Sequence, residues 1–230
     1  DEISWIWMPE VAQVRNPRLL QALRAYMSLK YVKIIENEPI SEIKLRAGKL
    51  EGLQTKSGFL PADHCLIAAG AWSSKLLDNS GIGLPIEPVR GQILLLKGRP
   101  GLIRRIVLRD SHYVIPRGDG RILVGSTLEY VGYDKATTAE AREELISAAE
   151  NIIPGITSAC EIETQWAGLR PGSPEGIPYI GAHPDVPGLF SSSGHFRNGF
   201  VLAPASARLG ADLILGREPV LDPDSYRLIR

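Results

Sequence analysis

Two short stretches of this sequence hold residues whose chemistry is aimed by their neighbours. In AGLRPGSPEGIPYIG, residues 167–181, Arg170 closes an apolar run and is followed by Pro171-Gly172. A rigid turn at a strand end fixes where the guanidinium points, and its planar fork suits bidentate capture of a carboxylate. In SHYVIPRGDGR, residues 111–121, Tyr113 stands at the start of an apolar run, where its phenol could donate a second hydrogen bond to such a ligand. Each has a structural alternative: Arg170 paired with an acid across a sheet, and Tyr113 packed within one.

Two further stretches read as backbone devices. GHFRNGF, residues 194–200, precedes the helical spacing of Val201, Leu202, Ala205, Leu209, Leu213 and Ile214. With the helix starting near Gly199, the N–H groups of Arg197 to Phe200 form an electropositive end that favours an anion. The alternative is an ordinary helix start with a solvent-exposed arginine. HCLIAAGAWSS, residues 64–74, runs strand, glycine, small residues. Such a passage lets backbone approach a planar or phosphorylated ligand at the carboxyl end of a strand, or is a plain strand end.

The elements that must position these residues follow from periodicity. Asn16 is placed to cap and Pro17 to open a helix over about 17–29, with Leu19, Leu20, Leu23, Tyr26 and Met27 at helical spacing. Residues 31–35 read as a short buried strand. A meander at 40–45, 50–54 and 59–60 turns at Gly48 and Ser57-Gly58, and 64–69 is another apolar strand. From Arg90 onward, runs at 92–97, 103–108, 113–116, 122–126 and 162–169 have the pattern of a largely antiparallel sheet. Thr138 opens a helix that Pro154-Gly155 stops, and 189–192 is a short strand before the C-terminal helix, which reaches about Gly216. Buried runs ending in glycine alternate with amphipathic sheet strands, which predicts two domains threaded by one chain.

Composition bounds the function. The 230 residues are 44% hydrophobic and 23% charged, ordinary for a globular chain, with Lys plus Arg and Asp plus Glu at 26 each. No net field recruits nucleic acid or an anionic membrane surface. Cys65 and Cys160 lie far apart, Cys65 within an apolar run, so a buried thiol is expected rather than a disulfide framework, and the four scattered histidines give no zinc spacing. The opening DEISWIW is neither a signal peptide nor a membrane span, and a start on Asp1 suggests a piece of a longer chain.

Taken together and in order, IAAGAWSS, VRGQILLLKG, YVIPRGDGRILVGST, WAGLRPGSPEGIPYIG and GHFRNGFVLAPASARLGADLI resemble the FAD-dependent amino acid oxidase family that contains D-amino acid oxidase and sarcosine oxidase. Within it the similarity is greatest to the glycine oxidase branch of thiamine biosynthesis, and it extends over essentially the whole chain. The family's GxGxxG turn for the FAD pyrophosphate, with its following acidic residue, is missing from this sequence; Gly81-Ile82-Gly83 and Gly98 to Gly101 lack the following helix. The resemblance therefore implies the later part of such a protein, α/β with an α+β part: an incomplete FAD-binding Rossmann-like domain interleaved with a mainly antiparallel-sheet substrate domain. Residues 1–28 and 87–184 match the substrate domain, and 29–86 and 185–230 the FAD-binding domain.

Residue by residue, the resemblance implies that Arg170 clamps the substrate carboxylate, Tyr113 partners it, and Arg197 lies near flavin and substrate. Ala69, Gly70, Trp72 and the run His195, Phe196, Arg197, Asn198, Gly199, Phe200 match the cofactor-facing positions. The implied reaction is hydride transfer from a small amino acid to flavin, with O2 then reduced to peroxide. A D-amino acid dehydrogenase passing electrons to a quinone, and a catalytically silent apo fragment, are the competing expectations. A cytoplasmic location and a homo-oligomer accompany the family, with neither nucleic acid nor membrane as partner.

Overall fold

The computed structural model describes residues 4–81 and 83–229, and the chain divides into two compact units, Asp1–Glu38 and Pro39–Arg230. Residues 1–3 of the DEISWIW opening and Ile82 of the Gly81-Ile82-Gly83 loop lie outside the described residues.

In the first unit, helix α1 spans Asn16–Leu29. Its cap is Arg15, without a side-chain capping bond, so Asn16 and Pro17 both lie inside the first turn and Asn16 does not cap as its type predicts. The strand expected at 31–35 does not form. Tyr31 N–H donates to Ser28 O and Val32 N–H to Met27 O, with Tyr31 at φ +59°, so these residues complete the helix's C-terminal Schellman turn. Tyr31 is fully exposed rather than buried.

The second unit begins with a meander, β1 (Ile40–Arg46), β2 (Lys49–Thr55) and β3 (Gly58–Pro61), paired antiparallel in that order. Strand β4 (Cys65–Ile67) is shorter than expected because the chain turns at Gly70, φ +56°, into a 3-10 turn over Gly70–Trp72 and then α2 (Ser73–Leu77).

A long central strand, β5 (Glu87–Lys97), pairs on one side with β9 (Glu161–Gly172) and on the other with β8 (Arg121–Gly125); β7 (His112–Pro116) and β6 (Val107–Arg109) complete a five-stranded antiparallel sheet. Strand β6 starts four residues later than the apolar run at 103 predicts. One face of this sheet packs on α3 (Ala139–Ile152), whose N-terminus is capped as predicted by the Thr138 hydroxyl accepting from Ala141 N–H, and α4 (Ile156–Ala159) follows. Leu94, Leu96, Val114, Ile122, Val124, Leu145, Ala149 and Ile152 form the core between them.

Strand β10 (Tyr179–Ala182), not anticipated from the sequence, pairs antiparallel with β11 (Leu189–Ser193), which pairs parallel with β4. Around this small sheet lies a second core that includes Ile43, Ile67, Leu77, Leu84, Tyr179 and Leu189. Helix α5 (Gly199–Ile214) leaves the end of β11 and packs on β10 and β11. The second unit thus holds three sheets, with one core around the small sheet and another between the five-stranded sheet and α3, a mixed α/β fold.

Candidate functional site

Strand register decides which side chains share a face. Val89 pairs with Arg170, Gly91 with Gly168, and Gly125 with both Ile93 and Tyr113. Alternation along the strands then puts Arg170 and Tyr113 on one face of the five-stranded sheet, opposite the α3 core. Both side chains lie flat because glycines lie beneath them. A Cβ at Gly91 would overlap the Arg170 guanidinium, and one at Gly125 would come 2.5 Å from the Tyr113 hydroxyl.

The Arg170 guanidinium is half-buried and donates from Nη2 to Ser126 Oγ at 2.8 Å and from Nη1 to the Thr127 carbonyl at 3.2 Å. Both acceptors are neutral. Among the described residues no carboxylate forms an ion pair with Arg170, so the cross-sheet acid pairing open to it on sequence does not occur. Burial pushes its pKa down, the Tyr113 phenol pulls it back up, and the Arg197 cation lowers it again. Arg170 and Tyr113 thus share this sheet face, and the Arg197 charge acts on Arg170. A partly desolvated cation held only by neutral acceptors is a site for an anion with two oxygens.

The second set of residues arrives from the small sheet. Because β4 and β11 are parallel, the turn at Ala69 to Trp72 and the GHFRNGF loop leave the same edge, the carboxyl ends of adjacent strands where α/β sheets place ligands. Ser193 Oγ donates to Gly70 O at 3.0 Å and ties the two exits together. The Gly70–Trp72 turn lies against β5 and β9. Phe196 N–H donates to Pro171 O at 2.9 Å, and Ser173 Oγ to Gly194 O at 2.6 Å, which fastens the loop to the strand end carrying Arg170. Trp72 stacks on Tyr133 with centroids 5.8 Å apart, while the Tyr133 hydroxyl donates to Ala71 O and Lys75 Nζ sits 3.8 Å above its ring.

Within GHFRNGF the roles divide. Phe196 takes φ +47° to reverse the chain. His195 turns inward, its Nε2 2.9 Å from Ser206 Oγ on α5, and burial lowers its pKa, so the imidazole stays neutral and holds the loop to the helix. Arg197 is exposed and Phe200 partly so. Asn198 is the N-cap residue but its side chain makes no capping bond, and Gly199 opens α5 as the spacing predicts. The first N–H groups of a 16-residue helix are thereby left for another acceptor.

The chemistry of these groups can be set against the flavin edge of FAD, the cofactor that the sequence resemblance implies. Uncapped N–H donors suit its electron-rich pyrimidine side, and Ser73 Oγ at the start of α2 and Ser191 Oγ on β11 are buried without hydrogen-bond partners among the described residues. Sequence reasoning missed Gly91, Gly125, Ser126 and Thr127, which shape and hold the Arg170–Tyr113 face. Glycine in the interior of long apolar strands is the signal that marks them. Among the described residues no group of three or more His, Cys, Asp or Glu side chains is arranged to hold a metal. No helix there is long and apolar enough to cross a membrane.

Comparison with known proteins gives the chain's relatives. Glycine oxidase of Pseudomonas putida is 49% identical over 222 residues, which cover 96% of this chain and 60% of that protein. The bifunctional protein ThiO/ThiG of Synechocystis is 34% identical over 95% of the chain and 33% of its own length. The crystal structure of glycine oxidase from Geobacillus kaustophilus superposes with a TM-score of 0.84 at 30% identity, covering 92% of this chain and 57% of that one. The chain thus spans about three-fifths of the length of its Pseudomonas relative. The profile of the family described as FAD dependent oxidoreductase matches residues 2–213, and the chain belongs to that family.

Proposed function

We propose that the protein of which these residues form the larger part is a flavin-dependent oxidase of glycine or another small amino acid. The observation that carries this is Arg170, a half-buried guanidinium held by two neutral oxygens with its charge unpaired. It binds the substrate carboxylate through its fork, and Tyr113 donates its hydroxyl to the same group from β7, with β5 and β8 between the two strands. That orients the α-carbon toward the Ala69 to Trp72 and His195 to Phe200 edge, where Arg197 and the α5 N-terminus supply positive potential. Bound FAD would supply the two-electron oxidant there, so that the amino acid leaves as the imino acid and O2 as hydrogen peroxide. Positioning is what this chain contributes, since no carboxylate or unengaged imidazole reaches Arg170 among the described residues.

The same reading assigns 1–28 and 87–184 to a substrate domain and 29–86 and 185–230 to the flavin domain. Supporting it are the separate cores, although the pairing of β10 with β11 draws residues 179–182 toward the flavin side.

The test is steady-state kinetics of the intact flavoprotein with glycine, with Arg170→Ala and Arg170→Lys alongside. Loss of one partner of a buried charge pair costs about 2–5 kcal/mol, so Arg170→Ala should lower kcat/KM by at least about thirtyfold. Lysine, which keeps the charge without the fork, should recover only part. Unchanged kinetics in Arg170→Ala would sink the clamp. Reduction of an artificial electron acceptor without peroxide would identify a dehydrogenase instead.

A further inference from the structure

Behind the candidate site, on the opposite face of the same sheet, lies a buried polar network that the reaction itself does not use. Arg90 is 4% exposed, Gln92 fully buried and Thr127 2% exposed. Arg90 donates to Glu129 from Nε at 3.0 Å and Nη2 at 2.6 Å, and from Nη1 to Asp134 at 2.6 Å and to Ala136 O at 3.0 Å. Glu129 also accepts from Gln92 Nε2 at 3.0 Å and from the Thr127 hydroxyl. The Gln92 carbonyl oxygen in turn accepts from Thr138 N–H at 3.0 Å and Gln165 Nε2 at 2.8 Å. Burial pushes the Glu129 carboxyl up, but the hydrogen bonds from Thr127, Arg90 and Gln92 outweigh it and hold it below the usual carboxylate range.

What this network immobilises is the segment 126–129. Past the end of β8, Thr127 N–H donates to Gln92 O, Glu129 N–H to Arg90 O and Arg90 N–H to Glu129 O. On one side of that segment Thr127 and Glu129 are locked by Arg90 and Gln92. On the other it presents Ser126 Oγ and the Thr127 carbonyl, the two acceptors of Arg170. A buried ion pair is a poor source of stability, because apolar side chains of the same volume do as well or better. Geometry is the better account: a satisfied network fixes one arrangement where an apolar one allows several. Glu129 also balances the charge of Arg90, which would otherwise sit one residue from the strand position over which the Arg170 guanidinium lies.

We propose that the Arg90–Glu129 pair, with Gln92, is a positioning device that aims Arg170 at the substrate carboxylate; this rests on reading Arg170 as the carboxylate clamp. The experiment uses the intact holoprotein and two readouts: the dissociation constant of glycolate, an unreactive carboxylate probe, by calorimetry, and KM against kcat for glycine. In Glu129→Gln the glycolate constant and KM should both rise about tenfold while kcat changes less than about threefold, the scale of coupling between residues in one network. Thr127→Val, which keeps the carbonyl acceptor and removes only the hydroxyl link, should move both in the same direction by about threefold. Leu145→Ala, a core truncation on α3 of comparable or greater cost in stability, should move neither. Glutamine and valine variants that lose stability but match Leu145→Ala in glycolate affinity and KM overturn the proposal, and Thr127→Val alone decides it where Glu129→Gln does not fold. Glycolate binding unchanged in Arg170→Ala is a different failure: it removes the clamp reading, and this proposal with it.

Discussion

At Gly91 the sheet trades a side chain for access. The absent Cβ leaves room for the Arg170 guanidinium to lie across β5, and what a new methyl would strike is the far end of a flexible side chain. Gly91→Ala should therefore cost little stability, because Arg170 can swing away, while the carboxylate site is lost with it. Equilibrium urea unfolding within about 1 kcal/mol of the parent, together with glycolate affinity reduced more than about tenfold, is the expected pair of results. Unaltered affinity would show that Arg170 does not need this path. Arg170 itself was legible, since Pro171-Gly172 announces a fixed strand end and an arginine there asks for a partner. Arg90 and Glu129 were not, because 39 residues separate them and only the register of β5 with the segment after β8 brings them together. Side-chain type and a fixed strand end single out Arg170, whereas the residues that hold it are set by pairing that no local pattern encodes.

Among the elements, α3 matches the ends that its capping and turn chemistry predict, whereas α1 forms with Arg15 and not Asn16 at its cap. Thr138 caps α3 as its type requires, and Thr138→Ala should cost about 1 kcal/mol, seen as a fall in Tm of about 2–4 °C. Tyr31 shows the opposite case: its β-rich neighbourhood reads as a strand, yet closing the carbonyls of α1 takes precedence and puts it in a left-handed conformation. Strand β10 escaped notice because its four residues follow a proline-rich stretch and gain their identity only from β11. The turn joining these two strands carries a pH-dependent contact. His183 Nδ1 accepts from the N–H groups of Asp185 and Val186, and burial lowers its pKa against the pull of Asp185. With the folded value below the ordinary 6.5, the unfolded chain takes the proton first as pH falls. Stability from this group is complete above that value and declines as pH drops through it. Urea midpoints between pH 7.5 and 5 should fall, and His183→Gln should flatten part of the slope; His195, lowered by burial in the same direction, keeps the remainder.

Across the whole molecule, the candidate site draws on residues 69–72, 113, 126–127, 170 and 195–200, which two sheets with separate cores bring to one edge. That convergence explains why single motifs said little and their order said much: each stretch alone is a strand end or a helix start. It also divides the cofactor's binding between two kinds of group. On the proposed reading the residues described serve the flavin ring, whereas dinucleotide affinity comes largely from the pyrophosphate seated on a glycine-rich turn and helix N-terminus, and no GxGxxG occurs in these 230 residues. On the proposed reading, this chain by itself should therefore take up FAD weakly and release no peroxide from glycine, while the intact protein should bind FAD tightly and release peroxide. Equilibrium dialysis with FAD followed by a peroxide assay, run side by side on the two proteins, checks this. Tight flavin uptake by the 230 residues would mean that the β4–β11 edge and the α5 N-terminus carry the binding energy assigned to the pyrophosphate turn. Uptake without turnover would instead separate ring binding from the geometry that Arg170 and Tyr113 impose on the substrate.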